Sequence, residues 1–461
     1  MSDQILQTLK DLRTYALTKP CDITLLYHEE ESALMRFANS AVSLNTTEHL
    51  IRLEITAYDG RKRAGYEMIT DLNQVEEMRA GIDVAAEMVE HVQPLAYDPT
   101  IPVFSDAYTD ERAYDASLAA MDGADKLATF NAAAEGLETP QLQLSGIFSS
   151  GTNTIAQINT RSEHTQLFRT TDAQVTAVLA HNTAKWEVQA EQSAQQRTDL
   201  DPQSLHHELA FLVEQFTHQP AAQLPLGRYD IVLGPAATAE MISFMNWIGF
   251  NGGLMKRGYS FLREEQVGKK VLSDRFTLVD DPDRLDTYPF GRDFTGIRRE
   301  RRPLFEQGVF KGFIWRQDDA DEFGEQPTGH TVGHMSLVLE AGTEEVDSLA
   351  ALAALPRERD LLYIPFLHYM NIVNPTQGLL TASSRFGALL LRKDGSITIP
   401  YNVRLTQSLP DVFGDKVAWL SKQSVAYNTS SSYGARNPTA IVVPRFVCVN
   451  DLAISHANAS F

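Results

Sequence analysis

Read for its alternation of apolar and polar positions, the chain opens on a helix and then turns to strands. Ile5, Leu9, Leu12 and Ala16 recur at i, i+4, i+7 and i+11, which predicts an amphipathic helix over 3–18. Strand-like runs follow: "CDITLLYH", "ALMRFANSAVSLN" and "HLIRLEITAYDGRKRAGYEM". The polar "HEEE" at 28–31 reads as a charged turn between strands, and Asp59-Gly60 as a tight hairpin turn. Residues 71–92 predict a long amphipathic helix with Asp71 as its N-cap. The alanine-rich stretch 109–135 predicts another, opening on Thr109-Asp110-Glu111. A second strand block spans 141–193 and a helix follows at 202–217, so the order strands-then-helix occurs twice without a sequence repeat.

The stretch 217–230, "THQPAAQLPLGRYD", concentrates prolines, a glycine and small residues, and predicts a domain boundary. Two domains result, 1–218 and 225–461. The second opens with a strand ("YDIVLGP") and a helix at 236–250, then alternates strands and turns. Asp394-Gly395 is a further hairpin signal there, and "TAIVVPRFVCVNDLAIS" supplies closing core strands. The fold class is α+β: an N-terminal α/β domain followed by a mostly antiparallel β C-terminal domain.

Composition narrows the function. A length of 461 residues suits two domains, and 43% hydrophobic with 22% charged residues is a soluble globular balance. No apolar run approaches the roughly 18 residues of a membrane span. The first residues lack the basic flank, apolar centre and cleavage site of a signal peptide, so the expected location is cytoplasmic. A net charge of −20 opposes binding to nucleic acid. The densest basic run, Arg298-Arg299-Glu300-Arg301-Arg302, reads as a solvated strand face or a set of salt bridges. Cys21 and Cys448 match no metal or redox spacing and read as two reduced thiols.

The candidate chemistry centres on "ISFMNWIGF", residues 242–250, between a strand and a glycine pair. Met241, Phe244, Met245 and Ile248 share one helical face, with Ser243 and Asn246 on a narrow polar side. His330 and His334 are spaced i, i+4 in "PTGHTVGHMS", but the glycines and β-branched residues around them oppose a helix. They remain open as a metal pair, a loop lining a cleft or subunit contact, or structural histidines. His206-His207-Glu208 lacks the further histidine of a zincin helix, and "GFNGG" follows its helix where a phosphate loop would precede it. The serines of "NTSSSYG" have no paired base.

Several stretches, taken in order, carry a family resemblance: "RFANSAVSLNTTEHLIRLEITAYDGRKRAGYEMITDL", "NGGLMKRGYSFL", "FTGIRRERRPLFEQGVFKGFIWRQDDA", "PTGHTVGH" and "GLLTASSRFGALLLRKDGSITIPYNVRLTQSL". Together they resemble the TldD/PmbA (TldE) family, often labelled modulator of DNA gyrase, whose TldD-type members are zinc metalloproteases. Those members carry His-Glu-x-x-x-His on the helix at 243–248. Here Ser243 and Ile248 stand at the two ligand positions and Phe244 at that of the general base. The family's third ligand, a cysteine in a glycine-rich loop, has no counterpart in "VAYNTSSSYGARNP". Residues 235–258 contain no histidine or cysteine, and Glu240 is their only acid. The Thr-Gly-His at 328–330 resembles the PmbA/TldE branch.

The resemblance therefore implies no catalytic residues and no cofactor on this chain, with zinc on a TldD-like partner. It implies a non-catalytic TldE/PmbA-like subunit of a dimeric complex that acts on peptides or unfolded proteins. Candidates for its cleft or partner contact are Trp247, Arg257, Thr328, Gly329, His330 and His334. A stand-alone homodimeric peptide-binding protein is the alternative from another class, and a self-sufficient metallopeptidase the third.

Overall fold

The computed structural model describes residues 2–330, 335–430 and 436–461. Helix α1 (Ser2–Ala16) buries the four apolar positions its spacing predicts. Next come β1 (Asp22–Ala38), β2 (Ala41–Asp59), β3 (Lys62–Thr70) and α2 (Val75–His91). The hairpin at Asp59-Gly60 forms as expected, β2 pairing with β3 from Asp59↔Lys62.

The "HEEE" segment is no turn. It lies in the middle of β1, paired across to β2 from Glu29↔Ile51 to Glu31↔His49. The reversal comes instead at Asn39-Ser40, where φ is 53° and 61°. Two consecutive left-handed residues give the twist that two long strands need to fold back directly. Helix α2 also starts later than expected: Gln74 is its N-cap, while Asp71 accepts from the Asn73 amide at 2.8 Å in the preceding turn.

The stretch 109–135 divides. Strand β4 (Tyr108–Asp110) and the short α3 (Ala116–Ala119) precede α4 (Gly123–Ala134). Asp122 caps α4 in a reciprocal capping box with Asp125, so the helix starts well beyond the acids at 110–111. Then follow β5 (Leu142–Asn159), β6 (Ser162–His181), β7 (Glu187–Ala194) and α5 (Pro202–His218). Among the described residues these strands form one sheet in the order β3-β2-β1-β5-β6-β4, with β7 on β6. Helices α1 and α2 cover one end of one face through Ile5, Leu9, Leu12, Ile82 and Val89. Helix α4 covers the other end, where Phe130 meets Phe37 at 4.1 Å between ring centres.

The second half starts with β8 (Ala221–Ala222), β9 (Arg228–Leu233), α6 (Pro235–Ile248) and α7 (Gly252–Lys256). Two further, mostly antiparallel sheets follow. In the larger, β9 lies between the parallel strand Leu361–Ile364 and the antiparallel strand Val447–Ala457. The smaller holds Leu278–Asp280, Arg302–Glu306, Leu337–Leu339, Ser424–Asn428 and Ala440–Pro444. The architecture is α+β.

Strands thus segregate on either side of the proline-rich stretch, yet the hydrophobic core does not. One buried cluster joins Leu179, Val188, Leu209 and Leu212 to Val232, Leu361, Leu389 and Cys448. Cys21 and Cys448 are both free.

Candidate functional site

Helix α6 leaves β9 through Gly234, and Pro235 fits its first turn, where no amide hydrogen is needed. It packs on Ser424–Asn428 and Ala440–Pro444 of the smaller sheet and on Phe366–Asn374 of the larger. Met241, Ile242, Met245 and Ile248 form its buried side, Ile248 being only 1% exposed. Phe244 is half-buried at the edge of the core, and its ring lies 6.1 Å from that of Trp247, which is 56% exposed. The apolar face is therefore rotated from the one the sequence suggests: Ile242 joins it and Phe244 stands at its rim.

This rotation bears on metal chemistry. Five residues advance a helix by about 500°, leaving positions 243 and 248 roughly 140° apart. Ser243 sits half-buried at the rim and Ile248 inside the core. Zinc needs nitrogen, oxygen or sulfur ligands converging within about 2.0–2.3 Å. An alkyl side chain sealed in a core supplies none, and Phe244 neither binds metal nor accepts a proton. The residues present do not fit a zinc ion here. The polar loop that would complete such a site is described up to Ser430, which donates to and accepts from Thr439; Ser431 and Ser432 lie outside the described residues.

The glycines after α6 answer to packing. A Cβ on Gly252 would stand 2.6 Å from the Trp315 ring, and one on Gly253 2.2 Å from the Asp319 carboxyl carbon. Arg257 spends its charge close by, donating to Asp319 at 2.9 Å and pairing with Glu322.

His330 has a buried role. Its Nε2 lies 2.8 Å from Asp280 Oδ2 and its Nδ1 2.7 Å from Thr328 Oγ1. Arg299 donates to the other oxygen of Asp280 at 2.6 Å, as does the Ser336 amide. Burial would push the Asp280 carboxyl up, but Arg299 and then His330 outweigh it and hold it far below the usual carboxylate range.

Thr328, His330 and Asp280 share the connectivity of a hydroxyl–imidazole–carboxylate relay. However, the Thr328 hydroxyl already accepts from the Trp315 amide at 2.9 Å, and His330 is 3% exposed. So placed, the three side chains act as a pin that ties this turn to the strand of Asp280. Gly329, at φ 77°, makes the turn that brings the two side chains together. Among the described residues His330 is thus a buried, fully partnered side chain. His334 lies outside the described residues. Of the described candidates, Trp247 and Arg257 are exposed, and the Arg257 charge is already paired.

Beside the start of α6 lies a cavity of about 40 Å³ between the two halves, lined by Glu191, Glu208, Pro235, Tyr363, Tyr427 and Arg445. Arg445 pairs with Glu208. Glu191 receives a hydrogen bond from Gln189 at 3.1 Å, yet burial first and Glu208 next push its carboxyl up to about 8. Burial likewise raises the Glu240 carboxyl. A space of this size holds a water or two, and its protonated acid can donate a hydrogen bond.

Arg299 and Arg301 of the basic run are taken up in ion pairs with Asp280 and Glu340. Sequence reasoning missed Glu191 and the buried pair Asp172–Arg436, whose members are 264 residues apart and announce themselves by no spacing.

A strand–helix unit set between two mostly antiparallel sheets is the frame of this domain. The PmbA/TldA metallopeptidase C-terminal domain model matches residues 226–456, and the chain belongs to the PmbA/TldD family. It is 31% identical to a metalloprotease from Methanothermobacter thermautotrophicus over 112 residues, 24% of each chain. It is also 32% identical to the metalloprotease PmbA homolog of Haemophilus influenzae over 106 residues, 22% of each chain. The chain thus spans about a quarter of the curated relatives it matches. Its fold resembles the crystal structure of TldE from Thermococcus kodakarensis, with TM-score 0.80 at 15% identity over 97% of this chain and 100% of that one.

Proposed function

We propose that this chain is a non-catalytic, TldE/PmbA-type subunit that pairs with a zinc-bearing TldD-like chain in the cytoplasm. The complex cleaves peptides or unfolded proteins, and this chain shapes part of the cleft while the partner holds the metal. The observation that carries this reading is Ile248, an alkyl side chain 1% exposed at the second ligand position. The exposed Trp247 on the same helix supplies an apolar anchor of the kind that interfaces favour.

The test is hydrolysis of an unstructured peptide by the chain alone and after co-expression with a TldD-like chain, each with and without chelator. Chelator-sensitive cleavage is expected only in the co-expressed sample, where the two chains co-elute. The same cleavage by this chain alone would make it a self-sufficient peptidase and overturn the proposal. Peptide binding by a homodimer that never takes up the TldD-like chain would favour the stand-alone binding protein instead.

A further inference from the structure

The polar residues in the middle of β1 are placed for metal ligation. Glu29 and Glu31, two positions apart, point to one face of the strand, and His49 on β2 is the direct cross-strand partner of Glu31. One ligand atom from each lies within 4.8 Å of the others. Glu29 Oε1 stands 2.7 Å from His49 Nε2.

A second observation is independent of that clustering. Glu29 is 4% exposed, and its Oε2 has no hydrogen-bond partner. The buried Tyr27 hydroxyl beside it makes no hydrogen bond of good geometry either, though it stands close enough to Glu29 for that carboxylate to raise its pKa. A buried carboxylate oxygen left unpaired is costly, more so when the group is charged. Among the described residues no lysine or arginine pairs with Glu29 or Glu31; the single ion pair of Glu29 is to His49. Glu31 and His49 also line an open pocket of about 540 Å³, together with Thr47, Lys126 and Thr152.

We propose that Glu29, Glu31 and His49 bind one first-row divalent cation, Zn2+ in the first instance, on the helix-covered face of the N-terminal sheet. Two carboxylates neutralise the ion's charge. The imidazole favours zinc, iron, nickel or copper over calcium and magnesium, which take oxygen ligands. Coordination gives the orphaned Glu29 oxygen a partner, either directly as a bidentate ligand or through a metal-bound water. The remaining positions of the ion open into the pocket, where water or a small anionic ligand completes the shell. This site is separate from α6 and does not depend on how that helix is read.

The experiment uses the full, tag-free chain stripped with chelator, titrated with Zn2+ by calorimetry and with Co2+ by visible absorption. One ion per chain is expected. Glu31→Gln and His49→Gln, both at exposed side chains, keep the fold by circular dichroism and each weaken binding by about tenfold or more. The Co2+ ligand-field bands fall in intensity in the same variants. No saturable binding, or binding of unchanged affinity in either variant, would overturn the site.

Discussion

Asp172 accepts two hydrogen bonds from Arg436, at 2.8 Å from Nε and 2.6 Å from Nη2, and both side chains are almost wholly out of water. Asn428 donates to the same carboxylate at 2.8 Å, and the Arg436 amide donates to Glu30 at 3.0 Å. The loop that would carry a third zinc ligand is thus anchored at both flanks to the N-terminal sheet. Removing one partner strands the other as a buried charge. Asp172→Ala is expected to destabilise the chain by about 3–5 kcal/mol. The urea midpoint reads this, and a shift near zero would mean that water reaches Arg436.

Reinstating the lost motif separates rim from core. Ser243→His and Phe244→Glu lie at half-exposed positions and should leave a folded chain. Ile248→His removes packing from the core and buries a polar ring, a loss of roughly 3–5 kcal/mol. The triple variant should therefore melt early and gain no zinc at this helix, scored by thermal melting and by metal content in a Glu31→Gln, His49→Gln background. Tight zinc in that background would show that α6 can rotate to converge its ligands.

Trp247→Glu distinguishes a surface anchor from a core residue. With 56% of the indole exposed, the substitution should shift stability by less than about 1 kcal/mol. Co-elution with a TldD-like chain should be lost. A variant that fails to fold would assign the indole to the core, contrary to its exposure.

Glu191 sets a pH dependence. Its folded-state value of about 8 lies above the ordinary 4.5, so between those values the folded chain holds a proton that the unfolded chain has released. Stability from this group therefore falls as pH rises from about 4.5 to about 8 and is level beyond. Glu191→Gln should flatten that fall, measured as urea midpoints at about pH 5 and about pH 8.5. An equal fall in both proteins would place the ordinary value on Glu191.

Local patterns read well from sequence where one face alone is buried. The spacing of Ile5, Leu9, Leu12 and Ala16 gave α1, and Asp59-Gly60 gave its hairpin, because each signal is complete within a few residues. "HEEE" misled because four polar residues mimic a turn; in the sheet Glu30 faces Arg52 and Arg436 while Glu29 and Glu31 face the helices. The chemistry that Ser243, Phe244 and Ile248 bring to α6 was legible from residue types alone. Its geometry was not, since the rotation of α6 depends on which strands it packs against. The burial of His330 rests on Asp280 and Arg299, which no local spacing links to it.

The hydrophobic cluster that straddles the two halves imposes an order on biosynthesis. Leu209 and Leu212 emerge from the ribosome well before Leu361, Leu389 and Cys448, the residues that cover them. At about 5–20 residues per second the wait is on the order of tens of seconds. During it the nascent first half presents a greasy flank and an Asp172 with no counter-ion. Truncation after the proline-rich stretch is therefore expected to yield a sticky fragment rather than a free-standing domain.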